Sequence, residues 1–298
     1  MNLGYACICH TLQQQGIFTN RTMRRKTFEA RGLEYVSDLA LLNVKDLKTI
    51  VQWNNEMNIK LFRISSQIFP WADDYKLSDL KDYDEICELM LEIGNIATNA
   101  NQRLTMHPGP YNCLASPNQK VVEKTVRELD CHSEQMNMFG FKPSNYNKIN
   151  IHVGGAYGDK KATLARFVGN FSLLRNDTKK RLVIENDDSP NEYSVKDLYE
   201  GIYKSIGIPI TFDYFHHKFN TGGLNEEEAL KLAATTWPDD IAQCCHYSES
   251  RAVEKLDESI RPQAHSDIIY KKIQTYGLEP DIVIEAKLKE QAIFERPL

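Results

Sequence analysis

Short apolar runs alternate along this chain with longer amphipathic stretches. Eight runs read as β-strands: Leu3–Ile8, Lys60–Ser65, Arg103–His107, Lys148–Val153, Arg181–Glu185, Pro209–Tyr214, Asp240–His246 and Asp281–Glu285. Most are rich in Ile, Val, Leu and Phe and read as apolar on both faces, the pattern of parallel strands covered on each side. Segments of helical period lie between them, at 46–57 before the second run, 82–93 before the third, 121–138 before the fourth and 225–233 before the seventh. The alternation implies right-handed βα crossovers. Eight such units in 298 residues predict one α/β domain, a (β/α)8 TIM-type barrel over residues 1–298. No Pro/Gly/Ser-rich linker divides it. The connection at 9–37 and the one containing Arg261–His265 are long and polar, and in a barrel both fall on the C-terminal rim, where function sits.

Six of the runs end in, or close to, a residue able to bind a metal. These are His107, His152, Glu185, Asp213 with His216, His246, and Glu285, and His265 can join them from a loop. Any one of them has a plainer explanation, a hydrogen-bonded rim histidine or an ion-paired carboxylate. Strand C-termini in a barrel converge on its mouth, however, so the set predicts one site. Five imidazoles and three carboxylates exceed what one ion takes, since a tetrahedral or five-coordinate site uses three or four protein ligands. Two or three ions with bridging carboxylates would use them all. Mixed His and carboxylate ligands without thiolate suit zinc or manganese. Adjacent divalent ions clamp a phosphodiester, generate hydroxide at neutral pH and stabilise the leaving oxygen. His10, His132 and His217 are read as structural or surface residues. No P-loop, Ser-His-Asp arrangement or dinucleotide fingerprint competes, and Val153-Gly154-Gly155 reads as a rim turn with close backbone approach to substrate.

Composition narrows the setting. No apolar run approaches the roughly 18–20 residues of a spanning helix, and the first residues lack the pattern of a signal peptide. The seven cysteines form no CxxC pair, which points to a reducing compartment. An intracellular, non-secreted protein without membrane association is expected. The net charge of −5 argues against a nucleic-acid partner until bound cations are counted. Two or three divalent ions add about four to six positive charges. Arg21, Arg24, Arg25 and Lys26 cluster in one early loop. Next to a metal-lined rim they become candidate phosphate contacts.

Assembled, these residues resemble a UV damage endonuclease over nearly the whole chain. The matching segments are Leu3-Gly4-Tyr5-Ala6-Cys7, Phe62 to Trp71, Met106-His107-Pro108-Gly109, Asn150-Ile151-His152-Val153-Gly154-Gly155, Ile184-Glu185-Asn186-Asp187-Asp188 and Phe212 to His217. The block from Arg63 to Trp71, together with the HPG and EN-D-D segments, is specific. The resemblance implies a trinuclear site, manganese with zinc or magnesium as alternatives, and incision immediately 5' to a lesion in a bent duplex. It implies ligand roles for His107, His152, Glu185, Asp213, His216, His246, His265 and Glu285, with Glu185, Glu285 and His246 in the chemistry. Tyr5 and Tyr111 would probe the lesion, with rings that fill or stack in an unstacked step.

Two departures from the family pattern stand out. HPG is commonly followed by Gln and Tyr, whereas here Pro110 precedes Tyr111, and Pro110 has no N–H to offer a base. The family also tends to place a lysine, sometimes carboxylated, two residues before the strand-seven histidine. Here that position is Cys244, either a bystander or a thiolate behind the ligands. Three alternatives stay open: an apurinic/apyrimidinic endonuclease of the endonuclease IV type, a sugar-phosphate isomerase or epimerase on the same barrel, and a damage-binding homologue with weakened cleavage. Damaged double-stranded DNA is the expected partner, no protein partner is implied, and a monomer is expected because a bent duplex needs an open rim.

Overall fold

The structure, a computed structural model, describes residues 1–295. Its eight strands are β1 (Leu3–Ala6), β2 (Leu61–Ile64), β3 (Arg103–Met106), β4 (Ile149–Ile151), β5 (Leu182–Glu185), β6 (Ile210–Thr211), β7 (Cys244–Tyr247) and β8 (Asp281–Ile284). All pair in parallel, in the order β6-β5-β4-β3-β2-β1-β8-β7. A parallel bridge between Asp213 and His246 joins the two ends and closes the barrel, reinforced by the His246 amide donating to the Phe212 carbonyl at 3.0 Å. At Gly4 the β1 and β2 backbones approach so closely that a Cβ would lie 2.0 Å from the Leu61 carbonyl oxygen, so only glycine fits there.

The strands have two different faces. Outward, Tyr5, Phe62, Ile64, Leu104, Met106, Ile149, Ile151, Leu182, Ile184, Ile282 and Ile284 belong to one large apolar core. Helices cover it, chiefly 25–56, 83–99 and 119–138. The long helix Arg25–Glu56 buries Val36, Leu39, Ala40, Val44, Leu47, Ile50 and Val51 at three- and four-residue spacing. Inward, a small apolar plug of Ala6, Leu61, Val183, Cys244 and Val283 is surrounded by polar side chains. Arg103 reaches across to Asp281 at 3.1 Å and to the Ala242 carbonyl at 2.8 Å. The expectation of strands apolar on both faces is therefore corrected. The outer face is apolar and the inner one is largely hydrogen-bonding.

Two boundaries also move. Residues 25–37 are helical rather than part of a loop, with a break at Gly32 (φ 62°). Their polar sequence hid the helix, because its first turns pack little more than Phe28, which stacks on Trp71. β7 begins at Cys244, not Asp240, because Pro238 starts a turn whose carbonyl accepts the Ile241 amide. Among the described residues no helix is long and apolar enough to cross a membrane.

Candidate metal centre

Side chains two residues apart on a strand share a face, so the inward positions at the strand ends converge. Glu185 closes β5, is 1% exposed, and forms the centre of the group. His107, one residue past β3, places Nε2 at 3.2 Å from Glu185 Oε2. His152, one past β4, places Nε2 at 3.6 Å from the same oxygen. His246 directs Nδ1 to Glu185 Oε1 at 3.0 Å and to Glu285 Oε1 at 3.5 Å. Asp213 caps the short helix Tyr214–His217, with Oδ1 accepting the amides of Phe215 and His216 at 2.7 and 2.8 Å. That cap turns the His216 ring inward, 3.6 Å from Glu185. His216, not His217, therefore faces the site, while His217 is buried against Phe212. His265 comes in from the loop after β7, with Nδ1 at 3.9 Å from Glu285 Oε2. The structure thus brings all eight expected ligand residues together.

Several features fit this group to divalent cations. The donor atoms of His107, His152 and Glu185 lie within 4.8 Å of one another, as do those of Glu185, Asp213 and His246. Among the described residues, Asp213 Oδ2 and His265 Nδ1 are buried without a hydrogen-bond partner, a costly state unless something fills the space they face. The proton balance says the same. Burial works against the charge on His152, yet Glu185 and Asp187 raise its pKa to about 10. His216 is opposed by burial and raised by Asp213 and Glu185 to about 9. Burial, opposed by His216 and supported by Glu185, lifts Asp213 to about 7. Burial also opposes ionisation of Glu185, but the charges of His246 and His152 and hydrogen bonds from His107 and His246 hold its carboxyl well below the usual range. The raised values of His152, His216 and Asp213 beside the ionised Glu185 are what a pocket of clustered carboxylates without a cation favours.

Four further residues complete the site. Asp187 Oδ1 lies 2.7 Å from His152 Nδ1, the carboxylate–histidine pairing that orients a ligating imidazole. Arg63 of β2 pairs with Glu285. Asn150 of β4 donates to Glu185 Oε2, and Lys148 lies beneath it. No site role was expected for any of them, though the signal was present. Counting back by two from a liganding end gives Asn150 and Lys148 from His152, and Asp187 follows Glu185 by two.

The other expected site residues separate by exposure. Tyr111 is 90% exposed beside exposed Pro110 on the loop that follows His107. Tyr5 is fully buried, packed on Phe62, with its hydroxyl donating to Asn54 Oδ1 at 2.7 Å. It is a core residue facing a helix, and the expectation that it probes lesions is corrected. Arg21 is tied to Asp46 at 2.7 Å, and Arg25 pairs with Glu29 and Asp74. Among the described residues, Arg24 and Lys26 are exposed and make no ion pair, so the expected four-residue phosphate cluster shrinks to two. The Cys244 side chain sits in the apolar plug, away from the ligand atoms. Gly154 (φ 92°) makes its close approach to Cys113, where a Cβ would meet Sγ at 2.4 Å, rather than to a substrate.

Comparison with known proteins adds a family to this geometry. A family model described as UV-endonuclease UvdE matches residues 1–296. The UV-damage endonuclease of Schizosaccharomyces pombe is 37% identical over 304 residues, covering 98% of this chain and 49% of that protein. The chain thus spans about half the length of that relative. A putative UV-damage endonuclease of Acanthamoeba polyphaga mimivirus is 31% identical, covering 99% of this chain and 90% of that one. The crystal structure of SacUVDE superposes with a TM-score of 0.84 at 31% identity, covering 98% of this chain and 95% of the other.

Proposed function

The chain belongs to the UV-endonuclease UvdE family, and on that premise we propose that it is a metal-dependent DNA repair endonuclease. In this reading it nicks the phosphodiester backbone immediately 5' to UV photoproducts in duplex DNA, acting as a monomer inside the cell. The observation that carries it is the gathering of five imidazoles and three carboxylates at one end of the barrel, around Glu185. His107, His152, Glu185, Asp213, His216, His246, His265 and Glu285 would hold divalent cations, three manganese ions in this proposal. When bound, such ions supply Lewis-acid stabilisation of a phosphodiester and a nucleophile at neutral pH.

The chain's own groups do the rest. Glu185 stays ionised at the centre, held through both oxygens by Asn150 and His246. Arg63 neutralises Glu285 from behind and keeps its second oxygen toward His265. Asp213 Oδ2 and His265 Nδ1, without a hydrogen-bond partner among the described residues, would complete the ligand set. The Tyr111 ring, 90% exposed, would fill the gap at an unstacked step, with Pro110 stiffening its loop. Arg24 and Lys26 supply phosphate contacts.

The test is incubation of the purified chain with Mn²⁺ and an end-labelled duplex carrying one cyclobutane dimer, beside undamaged and abasic duplexes. A nick at the 5' side of the dimer is expected. Nicking of the abasic duplex alone, or binding of the dimer duplex without a nick, would refute the reading.

A further inference from the structure

Beneath the ligands, inside the barrel, lies a lysine that the ligand set does not explain. Lys148 is 1% exposed. Its Nζ lies 3.1 Å from Asn150 Oδ1, 2.8 Å from Thr211 Oγ1, 3.4 Å from the Cys244 carbonyl oxygen and 3.3 Å from His246 Nε2. Among the described residues it has no carboxylate within ion-pair distance, unlike Arg63 and Arg103. Burying an ammonium without a paired counter-charge is unfavourable. What this nitrogen does have is connectivity. Lys148 meets Asn150 and His246, Asn150 donates to one oxygen of Glu185, and His246 Nδ1 meets the other at 3.0 Å. The four side chains, from β4 and the residue just before it, β5 and β7, form a closed hydrogen-bonded ring. Glu185 cannot rotate without breaking a link that ends at Lys148.

We propose that Lys148 is a positioning residue for the metal centre, fixing the Glu185 carboxylate and the His246 ring from below through this ring of contacts. It touches neither substrate nor cation, and it acts through the two ligands it orients. The position two residues before His246 holds Cys244, whose side chain also faces the barrel interior, and Lys148 delivers its amine to that place from the other side of the barrel. The register suggests a direct check. A lysine at 244 would rise along the inner face of β7 into the space that Lys148 fills.

The inference rests on the endonuclease reading only for its rate measurement. In the full-length chain, Lys148→Met keeps the bulk and removes the amine. Lys148→Ala/Cys244→Lys moves the amine to β7. For each protein, Mn²⁺ affinity of the metal-stripped chain, melting temperature, and kcat and KM on the dimer duplex are measured. Lys148→Met is expected to weaken Mn²⁺ binding and lower kcat by about 10- to 100-fold, the usual effect of removing support behind a ligand, with KM unchanged. The relocated lysine should restore both to within a few fold. If Lys148→Met does not fold, Thr211→Val removes the 2.8 Å contact alone and should shift Mn²⁺ affinity the same way by less.

Parent-like Mn²⁺ affinity and kcat in Lys148→Met would overturn the proposal. So would a relocated lysine that restores melting temperature but neither of the other two, since that marks a structural role only. A parent chain that binds Mn²⁺ but leaves the dimer duplex intact removes the endonuclease reading, while the Mn²⁺ isotherms still decide Lys148. A parent that binds no Mn²⁺ removes the positioning role as well.

Discussion

The two faces of the same eight strands are built on different terms. Outward, Ile, Leu, Phe and Tyr side chains pack against helices, and each contributes through buried area without needing a particular partner. Inward, Arg63, Arg103, Lys148, Asn150, Glu185, Asp213, His246 and Asp281 occupy space where barrels commonly layer Val, Ile and Leu. Each of these needs named partners, and most have them within the barrel. The outer face tolerates exchange of one apolar group for another. The inner face is a connected network whose members depend on one another, so damage there should appear in metal affinity and rate before it appears in the fold.

The largest test of that division is Glu185→Gln. It removes the central charge while leaving a side chain of the same shape, and nicking of the dimer duplex should fall by roughly 10²–10³-fold with circular dichroism unchanged. A rate within tenfold of the parent would show that the centre does not depend on this carboxylate. Asp187→Asn is the next step down, because it leaves the ligands in place and takes away the partner of His152 Nδ1. Mn²⁺ affinity should drop about 10- to 100-fold, and unchanged Mn²⁺ binding would place Asp187 outside the site.

pH provides a smaller, graded effect with a definite sign. His152 and His216 have values raised from the usual 6.5 to about 10 and about 9, and Asp213 is raised to about 7. For the metal-free chain, the two histidines contribute stability that is fully present below pH 6.5 and lost as pH rises through 9 to 10. Asp213 acts in the same direction, since its raised value disfavours the folded state once the carboxyl ionises, between 3.8 and about 7. Cation binding must displace these protons. Mn²⁺ affinity should therefore climb from pH 6.5 to 8.5, with proton release visible by calorimetry in buffers of different ionisation heat. A flat profile would contradict the placement of protons at these groups.

The smallest effect belongs to the outer face. Tyr5→Phe removes the hydroxyl bonded to Asn54 and should cost about 1–3 kcal/mol of stability, read from denaturant unfolding, with nicking unchanged. A loss of rate without loss of stability would return Tyr5 to the site.

The candidate liganding ends were legible because His, Asp and Glu recur at the ends of successive apolar runs, where any one alone would have a plainer explanation. Parity along the strands was harder to read. His152 and Glu185 fix which neighbours face inward on β4 and β5. β1 ends without a ligand, so nothing in Leu3–Ala6 says that Tyr5 looks outward while Ala6 looks in. The basic segment misled for another reason. Arg21 and Arg25 look free in sequence, but their partners Asp46 and Asp74 are brought to them only by the fold. Lys148 was hidden because it directly precedes a strand only three residues long, where a lysine ordinarily marks solvent.

The bridge between Asp213 and His246 is the stitch that turns an eight-stranded sheet into a closed ring. Both of its residues belong to the candidate ligand group, together with Glu185 from the strand next to β6. If these residues hold cations as proposed, barrel closure and cation loading are two descriptions of one seam. Ions shared across it would act as a buckle, and the amide of His246, bonded to Phe212 over the same gap, is the hydrogen whose exchange with solvent would register whether the buckle is fastened.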